Sequence, residues 1–263
     1  MNKRLLFPLL FLISGFSIFS FTSCENVIVE EDTTGKLKIS LAFLADEQPL
    51  IFDTAIYTNA AGNQYLVTEV KLFISNVTIY KNGTAKVLNG WAKEHYFDTN
   101  LPSTLEWPIV DDIEAGSYDS IAFTFGFKDA DNQSFMYVNS PEKDMIWPEY
   151  LGGGYHYMML NGKWKVGNNL YGFATHLGRG QIYDANNEIT GFIDNSFKLC
   201  LANSNFTITT GTTTTVNLEM MVEEWFETPY DYDHNTYGGG IMENQEAMAK
   251  IRDNGFNAFR KVN

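Results

Sequence analysis

His156 in GGGYHYMML and His176 in YGFATHLGRG are the side chains whose types and surroundings best suit holding an ion. In an extended segment His156, Met158 and Leu160 share one face, while Tyr155, Tyr157 and Met159 take the other. If residues 161–169 loop so that 160 lies opposite 170, then 156 lies opposite 174 and His176 falls on the adjacent diagonal. Such neighbours sit about 7–8 Å apart, a gap two imidazoles close around a metal about 2 Å from each nitrogen. A tight turn at Gly167-Asn168 would instead pair 166 with 169 and send the two histidines to opposite faces. Two imidazoles with the Met158 thioether form a donor set that suits copper better than magnesium or calcium. On residue types alone, an equal reading makes both histidines hydrogen-bonded members of a Tyr-rich sheet.

The other titratable groups give weaker signals. His95 in WAKEHYFD reads as a solvated loop histidine. His234 in PYDYDHNTYGGG lies beside Asp231 and Asp233, with Glu223, Glu224 and Glu227 upstream. Oxygen ligands there would suit calcium, but the spaced Asp/Asn/Gly loop of a calcium site is missing, and a solvated acidic loop is favoured. Cys200 in FKLCLAN alternates with Phe197, Leu199 and Leu201, which places its thiol on the less apolar face of a strand. No Gly-x-Ser-x-Gly elbow, His-Glu-x-x-His helix, phosphate loop or dinucleotide fingerprint occurs, so a binding protein is expected rather than an enzyme.

The first residues give an address. Lys3 and Arg4 precede an apolar run from Leu5 to Phe21, and Phe21-Thr22-Ser23-Cys24 ends it on a cysteine. This is the pattern of a lipoprotein signal peptide over 1–23 with lipidation at Cys24, which anchors the chain to a membrane without crossing it. The expected location is the cell envelope, as an outer-membrane lipoprotein facing the periplasm or the cell surface. Residues 24–35, acidic and polar, read as a tether, and 36–263 as one domain. The chain has 18 basic and 32 acidic residues. With no basic clusters, nucleic acid is excluded as a partner.

The elements that must position the histidines are strands. Leu37, Ile39, Leu41 and Phe43 alternate strictly, and β-rich runs follow at 65–67 and 70–80, the latter ended by the hairpin signal Asn82-Gly83. Further strands are expected at 117–127, 155–160, 170–176, 197–201, 206–210 and 213–221. Ile241, Gln245, Met248 and Ile251 then fall at helical spacing, with Gly255 at the end. The expected fold is all-β, an antiparallel β-sandwich, immunoglobulin-like or related, with a short C-terminal helix.

Five segments resemble the MbnP-like family: PLIFDTAIYTNAAGNQYLVTEVKLFISNVTIY (49–80), AGSYDSIAFTFGF (115–127), MIWPEYLGGGYHYMMLNG (145–162), FATHLG (173–178) and GGGIMENQEAMAKIRDNGFNAF (238–259). The resemblance implies a single β-sandwich-like domain and copper binding or handling outside the cytoplasm, with His156 and His176 as the positions carried over. It also implies an envelope redox or transport protein as partner. A related surface copper protein uses two histidines and a tryptophan oxidised to kynurenine two residues before one of them; no Trp-x-His occurs here. The alternative function is a non-catalytic envelope lipoprotein whose exposed aromatics, Trp147, Trp164 and Tyr237, contact a glycan or a protein.

Overall fold

The alternation of Leu37, Ile39, Leu41 and Phe43 produces strand β1 (Thr34–Ala45), with all four side chains buried. The computed structural model describes residues 33–54, 56–88 and 93–262, so the leader, Cys24 and the tether as far as residue 32 lie outside the described residues. Two short strands follow, β2 (Gln48–Pro49) and β3 (Tyr57–Thr58). The runs expected at 65–67 and 70–80 are one strand of 18 residues, β4 (Gln64–Lys81). Asn82 and Gly83, at φ 50° and 74°, then turn the chain into β5 (Thr84–Val87), as the dipeptide signals. Next come β6 (Glu94–Asp98), β7 (Glu106–Glu114), β8 (Gly116–Tyr118) and β9 (Ser120–Phe125). After a long irregular segment the chain forms the hairpin β10 (Met158–Val166) and β11 (Asn169–Leu177), then a second hairpin, β12 (Gly180–Tyr183) and β13 (Ile189–Ile193). Strands β14 (Phe197–Cys200), β15 (Phe206–Ile208) and β16 (Thr213–Met221) precede helices α1 (His234–Tyr237) and α2 (Gln245–Asn254) and a last strand, β17 (Phe259–Val262).

The strands build two main sheets. One runs β17-β16-β1-β2, with β7 also on β1; the other runs β11-β10-β4-β9-β14. β4 is long enough to carry β10 and β9 along one edge and β3, β6 and β5 along the other. All pairs are antiparallel except β1 with β16, which run parallel from Lys36 opposite Thr213 to Leu44 opposite Met221. β16 returns to β1 only after the chain has built the second sheet, so no short hairpin dictates its direction. The sheets face each other through aromatic residues. Phe123 and Phe125 of β9 meet Phe259 of β17 at 5.3 and 6.2 Å between ring centres, and Trp225 packs on both Phe125 and Phe259. The result is the expected all-β sandwich with a short C-terminal helix. α2 starts four residues later than its apolar spacing suggests, because the Asn244 side chain caps it by accepting from Ala247 N.

Two histidines expected in solvent are packed among rings. His95 lies in β6, stacked on Trp107 at 5.3 Å, with its Nε2 2.8 Å from the Thr104 carbonyl; burial pushes its pKa down. His234 is fully buried and stacked against Phe173 and Trp164 at 4.5 and 5.7 Å, with Phe226 and Tyr232 at 4.9 and 5.2 Å. The acidic loop expected around it supplies a cap instead. Asp233 accepts from Asn235 N and Thr236 Oγ1 at the start of α1, while Asp231 is exposed. Polar neighbours in the sequence suggest solvent; Trp107, Phe173 and Phe226, brought in from other elements, decide otherwise.

Burial pushes the His234 pKa down to about 4. An unfolded chain takes up this proton near pH 6.5, the folded one only near 4, so stability present at neutral pH is lost as pH falls between these values. For His234 the loss is about 3 kcal/mol. Chemical denaturation followed from pH 7 to pH 4 should show a steeper decline for the native chain than for His234→Phe; parallel curves would exclude this origin.

Candidate metal centre

The β10–β11 hairpin closes through the tight turn at Gly167 and Asn168, with Val166 opposite Asn169. In this register His176 lies opposite Met159, and Met158 opposite Leu177. A regular strand would then carry His156 to the face away from His176. The two rings nevertheless meet, 5.0 Å apart and nearly perpendicular at 87°. Regular pairing of β10 begins only at Met158. Upstream, Gly152, Gly153 and Gly154 all have positive φ, at 112°, 64° and 84°, and the chain bends at Tyr157, so the two-residue alternation does not extend back to His156. His156 is held instead by the segment before it, its backbone N donating to the Met145 carbonyl at 2.7 Å.

The same bend corrects the thioether. Met158 is fully buried on the core side, between Leu72 of β4 and Leu177 of β11. His176 and Met159 share the opposite, partly buried face, and directly opposed residues have Cβ atoms about 4.5–5.5 Å apart. Met159 is therefore the methionine beside His176.

Hydrogen-bond partners fix which nitrogen of each ring carries the proton. The His156 Nδ1 lies 2.9 Å from the Met145 carbonyl, which can only accept. Nδ1 therefore bears hydrogen, and the lone pair is on Nε2, which is buried with no partner. His176 Nε2 lies 2.8 Å from Asn161 Oδ1. The amide is oriented by its other end, where Asn161 Nδ2 donates to Glu69 Oε1 at 2.7 Å, so Oδ1 accepts and His176 Nε2 is the protonated nitrogen. Its lone pair is on Nδ1. Glu69 is fixed in turn by Lys71 and Asn100, at 2.9 and 3.1 Å. Burial alone would raise the Glu69 carboxyl, but hydrogen bonds from Lys71 and Asn161 outweigh it and hold it below the usual range.

Both rings are neutral at physiological pH. Burial pushes His156 down to about 4, and burial followed by the neighbouring His156 pushes His176 down to about 3. With ring centres 5.0 Å apart, His156 and His176 are close enough that both could hold one ion, to which they would supply neutral nitrogen donors. Among the described residues no three His, Cys, Asp or Glu side chains converge on one ion, so any further donor must be of another type. Cys200 is exposed, on the polar face as expected, with its thiol 3.8 Å from Ser120 Oγ.

No Trp-x-His motif occurs in the sequence, yet folding brings a tryptophan against His156. Trp147, nine residues before His156, places its fully buried ring 4.8 Å from that imidazole at 73° and donates Nε1 to the Leu151 carbonyl at 3.2 Å. Gly178 makes room, since a Cβ there would come within 2.6 Å of the indole. Trp147 at 0 % and Trp164 at 8 % exposure are therefore not surface contacts, and Tyr237 is partly buried with its hydroxyl on Glu246. Both tryptophans find acceptors inside the fold, Trp164 donating Nε1 to Asn235 Oδ1.

The fold is a mainly antiparallel two-sheet sandwich in which the buried His156 meets the partly buried His176 of the edge strand β11. The MbnP family model matches residues 34–244, and the chain belongs to the MbnP family. Among solved structures it is similar to MbnP from Methylosinus trichosporium, at 15% sequence identity and a TM-score of 0.49 over 73% of this chain and 78% of that one. No curated protein matches the sequence.

Gly178→Ala should force Trp147 away from His156 and destabilise the fold by about 1–3 kcal/mol, as overpacking does in a filled core. Denaturant midpoints and tryptophan fluorescence measure both effects; an unchanged midpoint with unchanged emission would show that the indole has room to move.

Proposed function

We propose that this protein is an extracytoplasmic lipoprotein, anchored through Cys24, that binds copper between His156 Nε2 and His176 Nδ1. The observation that carries the reading is His156 Nε2, a buried lone-pair nitrogen without a partner in a ring whose other nitrogen is tied down. Such an unsatisfied group costs about 1–3 kcal/mol, and an ion between the rings would relieve it. The Met145 carbonyl and the Asn161–Glu69 pair act as the outer partners that orient histidine ligands in metal sites.

Membership of the MbnP family supports copper as the ion, and so do the donors. Two neutral imidazoles with the Met159 thioether on the same face suit a soft or borderline ion. Trp147 beside His156 supplies the combination of tryptophan and two histidines that the resemblance associates with surface copper proteins. The chain's own residues bind and orient the ion, His156 from the buried side and His176 from a partly exposed face; delivery or removal falls to an envelope redox or transport protein. Calcium at Asp231 and Asp233 has less support, because Asp233 is already engaged in capping α1.

Titrated anaerobically with Cu(I) against a competing chelator, the full chain should take up about one ion. His156→Ala and His176→Ala should abolish uptake, and Asn161→Leu should weaken it about 10–100-fold. Met158→Leu should leave affinity unchanged, whereas Met159→Leu should lower it. Unaltered stoichiometry and affinity in both histidine variants would sink the assignment.

A further inference from the structure

Away from the histidine pair, Tyr150, Gly240, Met242, Glu243, Asn244 and Gln245 line a surface cleft of about 660 Å³. Its floor is rigid, because Gln245 accepts from Gln181 N at 3.0 Å and donates to Gln181 Oε1 at 2.8 Å, tying the start of α2 to β12. Its rim is open. Tyr150 is 70 % exposed, a large ring left in water by a fold that buries most of its aromatics. Asn244 spends its carbonyl oxygen capping α2, which leaves its amide hydrogens available, and Glu243 is exposed beside it. Tyr183, 37 % exposed, belongs to the same neighbourhood: after burial, its hydroxyl feels Glu243 and Tyr150.

A flat apolar ring, a carboxylate acceptor and an amide donor around an open depression match one class of ligand well. A sugar presents an apolar C–H face on one side and hydroxyls that both donate and accept at its edge. A cationic ligand would meet only one carboxylate here, next to an amide donor that repels it. We propose that this cleft is a carbohydrate-binding subsite, in which Tyr150 stacks on a sugar ring while Glu243 and Asn244 bond its hydroxyls. The subsite is independent of the proposed copper centre.

The test uses the full chain in a non-glycosidic detergent, titrated calorimetrically with cellobiose, chitobiose, maltotriose and mannobiose, and with arginine as a cationic comparison. Saturable binding of at least one saccharide is expected, weakened tenfold or more by Tyr150→Ala and by Glu243→Gln. Tyr230→Ala, at an exposed ring elsewhere, should bind as the native chain does, and all three variants should keep the native unfolding midpoint. No saturable saccharide binding, binding unaffected by both cleft variants, or binding of arginine alone would each overturn the proposal.

Discussion

Two acceptors, the Met145 carbonyl and the Asn161 amide oxygen, decide what the histidine pair can do. A neutral imidazole carries one proton and one lone pair, and whichever nitrogen is given an acceptor must take the proton. Here each ring has one such acceptor, and each therefore has its lone pair on a known nitrogen. Without them the rings would be an ordinary buried aromatic contact. The backbone serves His156 because Met145 and His156 are bonded through both main chain and side chain, a double link that no rotation of the ring alone can break.

Everything outward from His176 depends on β4. Glu69 and Lys71 lie on this strand, opposite Asn161 and Met159 of β10, so the carboxylate that turns the Asn161 amide is placed by sheet register alone. A slip of one residue in the β4–β10 pairing would carry Glu69 to the core side and leave the amide free to flip. The length of β4 guards against that slip, since four further strands are registered on it and the aromatic core fills its inner face. Sheet pairing thus fixes a proton position two contacts away, from Glu69 through Asn161 to His176.

Period-two alternation made most of this fold legible in the sequence. Leu37 to Phe43, the Asn82-Gly83 hairpin, the strands near 197–201 and 213–221 and the C-terminal helix all follow from local pattern and turn chemistry. The parallel β1–β16 pair has no local signature, because pairing partners far apart in sequence leave no pattern in either strand. Of the candidate site, the sequence singled out the two histidines whose rings meet, but not the geometry that brings them together. Alternation assigned His156 and Met158 to one face, and it failed at Gly152-Gly153-Gly154 and Tyr157, where positive φ angles and a bend break the period. No fixed sequence spacing marks Trp147 as a neighbour of His156, because the indole reaches it through the loop that ends at Gly154, whose carbonyl accepts from Trp147 N at 2.8 Å. His95 and His234 misled in the opposite direction: charged sequence neighbours at 93–94 and 231–233 are poor reporters of side chains that fold inward among rings.

The surroundings of the pair also bear on the charge of the ion proposed there. Transferring an ion from water into a poorly polarisable interior costs an energy that grows with the square of its charge, so a divalent ion faces about four times the penalty of a monovalent one. Neutral imidazoles with depressed pKa values and a fully buried indole offer no compensating negative charge in direct contact. Glu69 is the nearest group of that sign in the network, and it is separated from the ring by the Asn161 amide and already paired with Lys71. Within the proposed centre a monovalent ion is therefore favoured over a divalent one. Cu(I) satisfies that charge condition and the preference of imidazole and thioether donors together, whereas calcium and magnesium satisfy neither.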